Sequence, residues 1–462
     1  MPSTLTQMGA ILGGVKPSRL HYNGGMFEHM LRAFRHKNYR LYFIGQGISL
    51  IGNWLSDVAM AWMVYRLTLE SHPGESAWYL GIVGFAEQIP MLLLAPIAGV
   101  FVDRWHRRSI LLVTNLLSML QSVGLALLAF THIITIPHLL ALSVFQGVVN
   151  SFDMPARQAF LVEIVEDRAD LTNAIALNSS MFNGARLVGP AVAGLLIAAV
   201  GEAWCFTIDA ISYSAVLGCL LAMVIPRTAP SASKRQSAVH EFKEGLEYSF
   251  GSPPILTTLL FVGCVSFMVM PMMVLMPIFA DQLSSAGHGA RTLGFLMAAT
   301  GIGALCGGAY LASRTSVVGI GKIMVAAAIL LGAAMIGFTA GSTLAWRLAM
   351  LFAGGFGMIL VMASGNTFLQ SVVPDKKRGR VMSLFGTAIM GMAPMGSLLS
   401  GWLASHWGEA KTMDAAGGCC IVAGIIFGIM LPRLRKHVHP MYAEKGILVP
   451  PVLPRVGKSD IG

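Results

Sequence analysis

The chain has 462 residues, 55% of them hydrophobic and only 12% charged, where a soluble protein of this length carries about a quarter charged residues. Together with a mean hydropathy of +0.68, this excludes a large globular core and indicates a polytopic membrane protein. The net charge of +10 does not signal nucleic acid, because the basic residues sit in short loops between apolar runs, where membrane topology uses them.

Residues 1–37 read as a polar, basic tail ending in Arg32, Arg35 and Lys37, placed in the cytoplasm where it can touch anionic headgroups. The first apolar span begins near residue 40, and no signal-peptide pattern precedes it. Twelve spans follow, near 40–66, 77–101, 109–131, 138–157, 171–199, 203–225, 254–280, 292–312, 318–340, 344–368, 380–406 and 412–431. Residues 432–462 read as a polar, Pro-containing tail without a fixed fold. Of the basic residues, only Arg66, Arg291, Arg347 and Lys411 fall in loops on the far side, and Arg186 lies inside a span. The bias puts both tails in the cytoplasm, as an even number of spans requires.

The spans divide into an N-terminal set, 38–225, and a C-terminal set, 254–431, on either side of a linker, 226–253. The linker starts with Pro226 and Pro230 and ends in a stretch around His240–Tyr248 that reads as an amphipathic interfacial helix. A faint repeat crosses it, because Val165-Glu166-Asp167-Arg168 resembles Val373-Pro374-Asp375-Lys376 at an offset of 208 residues. Two six-helix halves related by a parallel repeat suit a transporter that rocks about a central site. The cysteines all lie in apolar runs without CxxC or metal-ligand spacing, so neither a disulfide nor a metal is expected.

Three motifs narrow the reading. Gly99-Val100-Phe101-Val102-Asp103-Arg104-Trp105-His106-Arg107-Arg108, between spans 2 and 3, resembles the loop motif G-x-x-x-D-R-x-G-R-R of the major facilitator superfamily, with His106 in place of a glycine. Span 5 carries Gly184, Arg186, Gly189-Pro190 and Gly194, similar to the antiporter motif G-P-x-x-G-G of that superfamily, with Ala193 at the first of the paired glycines. Span 4 has the Gln146-Gly147 end of the motif R-x-x-Q-G, but Ser143 stands at its arginine. The stretches Asp153–Gln158, Asn173-Ala174, Asn178–Ser180 and Phe206–Tyr213 resemble the branch of enterobactin exporters and macrolide-efflux pumps. The resemblance covers residues 38–431 and implies an all-α fold of twelve transmembrane helices in two pseudo-symmetric six-helix bundles. It also implies a monomeric exporter in a bacterial inner membrane, without a cofactor and driven by the proton gradient. Asp103 with Gly99, Arg104, Arg107 and Arg108 is then a cytoplasmic latch; topology alone would account for the arginines, and Asp103 favours the latch over it. The glycines of span 5 would admit another helix closely, and Pro190 would bend the span.

Charges inside the membrane are functional candidates. Asp57, Glu87, Arg186 and Asp209 each stand 14–17 residues from the cytoplasmic end of their span, within about 5 Å of one depth at 1.5 Å per residue. Asn53 with Asp57, Asn183 with Arg186, and Asp209 with Ser212 share helix faces at i,i+3 or i,i+4. A carboxylate in a cavity exchanges a proton when its contact with Arg186 changes, which is the minimum for proton-coupled transport. Glu87, three residues before Pro90, is the preferred proton carrier and Asp57 the second. For Asp209 a fixed hydrogen bond between helices is the stronger alternative. The C-terminal half brings Met268, Met270, Met272, Met273 and Met276 in span 7, and Met390, Met392 and Met395 in span 11. Such a surface adapts to apolar ligands, although packing explains any single methionine as well. Asn366 is its main polar candidate.

These features point to a secondary transporter, a proton-coupled exporter of a small amphipathic molecule such as a drug or siderophore. Uptake or lysolipid movement by the same fold is the alternative. A multi-pass enzyme fits less well, since the chain has no Cys/His metal set and no Walker pattern.

Overall fold

The computed structural model describes residues 31–165, 167–224, 244, 246–284, 287–314 and 316–444. The first thirty residues, most of the 226–253 linker and the chain beyond 444, on which three of the expectations above fall, lie outside the described residues. Apolar runs of this length satisfy every backbone group internally only as helices, and among the described residues there is no strand. In chain order the N-terminal helices are α1 (Lys37–Ser71), α2 (Ser76–Arg104), α3 (Arg107–Phe130), α4 (Ile136–Ile164), α5 (Arg168–Val200) and α6 (Glu202–Ala222). The C-terminal helices are α7 (Pro253–Met268), α8 (Met270–Val274), α9 (Met276–Leu283), α10 (Gly289–Ala312), α11 (Ile320–Ala340), α12 (Leu344–Val372), α13 (Asp375–Trp407) and α14 (Glu409–Glu444).

With α7–α9 taken as one rod, twelve rods among the described residues exceed the length a bilayer needs, about 20 residues. Ten of these are apolar enough to cross by composition alone. The other two, α1 and α4, are 35 and 29 residues long and carry the polar groups described below. The seventh span is not the continuous helix its hydropathy suggests. Pro271 and Pro277 each sit at the start of a new segment, where the missing N–H costs nothing and the preceding helix must stop.

The two halves are copies in more than outline. Arg168 to Asp375 and Val200 to Trp407 are each 207 residues apart, so α5 and α13 match end to end. Each contains one proline, Pro190 or Pro394, and each ends on a glycine with positive φ, Gly201 or Gly408. The register is one residue shorter than the sequence repeat suggests, because Asp167 caps its helix from outside while Asp375 lies within the first turn. The halves meet mainly through α2 against α13 and α5 against α10. Both crossings are glycine on glycine. A Cβ on Gly81 would lie 2.8 Å from Gly401 Cα, and one on Gly194 would lie 2.8 Å from Gly294 Cα. Both lie towards the ends remote from the tails, where Tyr65 also donates across the halves to Asp281 at 2.8 Å. On the tail side, Ile97 and Val100 of α2 and Ile175 of α5 are exposed. The glycine-on-glycine crossings between the halves thus lie on the far side.

The last helix outruns its span. Leu434, Val438 and Tyr442 fall at i,i+4,i+8 and are all buried, and the Tyr442 hydroxyl meets that of Ser371 at 3.1 Å. The expectation of an unfolded tail from 432 is thus corrected as far as Glu444. Its charges, Arg433, Arg435 and Lys436, occupy the exposed face of a helix whose other face packs.

Candidate functional site

Inside the N-terminal half is a polar cavity of about 120 Å³. α1 contributes Asn53, Ser56 and Asp57, α2 contributes Glu87, and α3 contributes Gln121. α4 adds Ser143, Gln146 and Asn150, and α6 adds Asp209 and Tyr213. The helical repeat explains the α4 set, since residues three and four apart share a face. It also explains the Gln146-Gly147 pair. A Cβ on Gly147 would lie 2.1 Å from the Glu87 carbonyl oxygen, so only glycine lets the α2 backbone lie against α4 there. That contact fixes Glu87 at the depth at which Gln146, one residue away, faces the cavity.

Three carboxyl groups thus surround one cavity, in two kinds of environment. Asp209 is buried, at 3% exposure. Ser122 Oγ donates to its Oδ2 at 2.7 Å. Asn53, with its amide nitrogen turned to the acceptors around it, donates to Asp209 Oδ1 at 3.1 Å and to the Tyr213 hydroxyl at 3.0 Å. Gly52 makes room for this knot, because a Cβ there would stand 2.9 Å from Asp209 Oδ1. Among the described residues, Asp57 and Glu87 accept no hydrogen bond and form no ion pair. Asp57 is exposed and Glu87 half-buried, so both open onto the cavity while Asp209 is tied into its wall.

Arg186 and Asn183 do not join them. Arg186 is exposed and forms no ion pair with the three carboxyls, which corrects the picture of a buried arginine facing Asp57 and Glu87. Its neighbours give the reason. α5 touches α1 through Gly189 against Trp54 and touches α10 through Gly194 against Gly294. Ile175, Ser179, Asn183 and Arg186 form a column between those two faces, and Val188, Val192 and Leu195 form a wholly apolar exposed strip behind it. The apolar strip faces lipid, so the column with Arg186 faces the cleft between the halves. Asn183 is held by its own helix, donating to Ser179 O at 2.8 Å. Gly184 serves no close approach, since a Cβ there meets nothing within 4 Å.

The loop motif ties its own half together. Arg107 pairs with Glu163 at 3.1 Å, and Arg108 donates to the Leu221 carbonyl at the end of α6 at 3.0 Å. Arg104 is exposed, Asp103 is partnered, and a Cβ on Gly99 meets nothing within 4 Å. Two basic residues near the start of α13 grip the linker instead. Arg380 pairs with Glu244, and Lys377 sits over the Tyr248 ring at 4.1 Å. The methionines do not make one wall. Met272 and Met276 are buried in the core. Met390 lies about 140–160° around α13 from Met392 and Met395, so the three exposed residues face different surroundings. Asn366 accepts from Gln370, one turn along α12.

Gln121, Asn150 and Tyr213 were not singled out from the sequence. The stretch Asp153–Gln158 was noted only for its family resemblance, not for the ion pair Asp153–Arg157 within it, where Thr114 donates to Asp153 at 2.7 Å. The i,i+4 spacings Gln146–Asn150 and Asp153–Arg157 were the available signal.

The profile of the family described as Transmembrane secretion effector matches residues 29–449. The multidrug efflux pump Tap of Mycolicibacterium fortuitum is 30% identical over 83% of this chain and 93% of its own length. The staphyloferrin A transporter of Staphylococcus aureus is 24% identical over 86% and 97%, and the enterobactin exporter EntS of Escherichia coli 25% over 87% and 93%. Among solved structures, the nucleoside transporter NupG superposes with a TM-score of 0.64 at 14% identity, over 86% of this chain and 98% of that one. A bacterial homologue of the lysosomal transporter Spinster, inward-facing and unoccupied, gives 0.62 at 14% identity, over 90% and 99%.

Proposed function

Because this chain belongs to the Transmembrane secretion effector family, within the exporter branch of the major facilitator superfamily, and is a transporter rather than an enzyme, we propose that it exports a small amphipathic molecule in exchange for protons. The substrate is a siderophore or a drug-like compound, the class named for its relatives. Both tails lie in the cytoplasm of a bacterium, and the cleft between the halves, opening on the tail side, takes substrate from inside. Alternating access then opens the far-side glycine crossings and closes the tail side.

One observation carries the proton reading. Three carboxyl groups line one cavity whose described wall includes no cationic side chain, and two of them have no hydrogen-bond partner among the described residues. Carboxyls so placed hold protons or cations that come and go. Asp209, fully engaged, fixes the cavity wall, while Glu87 and Asp57 carry the exchangeable proton. Arg186, on the cleft face of α5, meets an anionic or polar part of the substrate instead of tuning the carboxyls. Loss of the proton from the cavity and arrival of substrate in the cleft are coupled because both bias the same rocking equilibrium.

The test is flux in proteoliposomes with an imposed pH gradient, using ethidium and a catecholate siderophore as probes. Wild-type protein drives a probe against its gradient into the acidic compartment as protons leave it, and Glu87→Gln abolishes the pH dependence. Undiminished pH-driven flux in both Glu87→Gln and Asp57→Asn refutes the reading.

A further inference from the structure

α11 and α14 pack through glycines and draw apart towards the tail side. A Cβ on Gly417 would lie 2.7 Å from Gly332 O, one on Gly424 3.2 Å from Ala328 Cβ, and one on Gly428 3.4 Å from Val325 Cγ1. Beyond Gly428 the seam opens into a hole of about 70 Å³ between the start of α11, the end of α12 and α14. Phe368, Phe427, Leu431, Leu434 and Val438 stand on its wall. The hole is several times larger than one water needs, but an ordered water also needs two to four polar partners. The Tyr442 hydroxyl on the wall is already engaged with Ser371. An apolar occupant fits this lining.

Two cations flank the hole from different helices. Lys322, in the first turn of α11, and Arg435, one turn past Leu431 on α14, both line it and are exposed. Neither side chain forms an ion pair among the described residues, and the wall includes no acidic side chain. Topology accounts for basic residues on this side, but not for two unpaired ones on either flank of an apolar hole. The apolar runs 318–340 and 412–431 end at this level, so the cations stand at headgroup depth beside a hole at acyl depth. A ligand with a negative head and a hydrocarbon chain matches both parts. The chain beyond Glu444 does not, because it carries Lys445, Arg455 and Lys458 against Asp460 and is repelled by the same two cations.

We propose that the tail-side end of the α11–α14 seam holds one anionic phospholipid of the adjoining leaflet, with its phosphate between Lys322 and Arg435 and one acyl chain in the hole. The site does not rest on the transport reading above.

The test is native mass spectrometry of the delipidated full-length chain in detergent, titrated with phosphatidylglycerol or phosphatidylcholine of equal chains. Wild type binds one phosphatidylglycerol about thirtyfold more tightly than phosphatidylcholine, the preference expected of two basic contacts. Lys322→Gln combined with Arg435→Gln loses that preference. Arg433→Gln combined with Lys436→Gln, which removes charges on α14 outside the hole, keeps it. Leu431→Trp fills the hole and weakens phosphatidylglycerol binding with both cations in place. Equal affinity for the two lipids in wild type, or an equal loss in the two double variants, means annular lipid only and overturns the site. Displacement of the lipid by equimolar glycerol 3-phosphate, a head without chains, overturns the part given to the hole. Phosphatidylglycerol that binds only after the chain beyond Glu444 is removed gives the hole to that segment and overturns the proposal.

Discussion

Gly194→Ala should unseal the far side of the protein without unfolding either half. The added Cβ would lie 2.6 Å from Ala290 O, 2.8 Å from Gly294 Cα and 2.9 Å from Gly294 N, where ordinary contact is 3.4–4 Å. All three atoms are backbone, so no side chain can swing aside, and α5 and α10 must separate by about 1 Å. Overpacking of this kind costs about 1–3 kcal/mol. The two helices belong to different halves, so the cost falls on the arrangement in which the crossing is closed, and the far-open arrangement escapes it. A bias of that size shifts a two-state equilibrium by about 5- to 150-fold. Spin labels at Ser71, the last residue of α1, and at Ser342, in the loop before α12, both on the far side, report the shift in a background without native cysteines. The distance distribution should gain a longer component in Gly194→Ala and in its mate Gly401→Ala. Gly184→Ala, whose Cβ meets nothing within 4 Å, is the control and should match wild type. An unchanged distribution in Gly194→Ala, or an equal change in Gly184→Ala, would refute the view that these crossings are the moving seam.

The two kinds of carboxyl should separate in stability measurements. Ser122→Ala leaves Asp209 Oδ2 without its donor and should lower stability by about 1–3 kcal/mol, read from denaturation in detergent. Asp57→Asn, which breaks no hydrogen bond, should change stability by no more than about 0.5 kcal/mol while transport fails. Equal destabilisation by the two would show that Asp57 is also a fixed strut. At the C-terminus, Leu434→Asp places a charge at a position that is 4% exposed and should free the end of α14. Limited trypsin digestion then cuts after Arg435 and Lys436 faster than in wild type, and an unchanged cutting rate would mean that this end does not depend on the packed stripe.

What was legible in the sequence follows from which helix coordinates a sequence carries. Depth was legible, because 1.5 Å per residue turns position within a span into height, and Asp57, Glu87 and Asp209 do share one cavity. Rotation was not. Arg186 has the same height but faces another compartment, and its direction depends on which neighbours Gly189 and Gly194 admit, which no local pattern specifies. Tyr213, Gln121 and Asn150 escaped because an uncharged polar residue barely lowers the hydropathy of its span. The end of α14 was read as tail because its charges hid the i,i+4 stripe of Leu434, Val438 and Tyr442. In the seventh span, by contrast, the two breaks stand at prolines that the hydropathy pattern alone passed over.

The internal repeat preserves movement and discards chemistry. The glycine crossings Gly81–Gly401 and Gly194–Gly294 are paired by the same two-fold relation that superposes α5 on α13. A rocking motion loads both seams alike, so a side chain on either would stall it. No such constraint acts on the interior of a half. Glu202 and Glu409 open the sixth and twelfth spans 207 residues apart, and at that register Asp209 corresponds to Ala416, a buried apolar residue. The C-terminal half thus forgoes the carboxyl and packs. Confining the three cavity carboxyls to one half would keep their mutual geometry unchanged under the proposed rocking, so that access to the cavity alternates rather than its chemistry. In the proposed exchange, the carboxyl cavity would then keep its hydrogen-bonded wall at Asp209 in both states, while Asp57 and Glu87 would take up and release protons on whichever side is open.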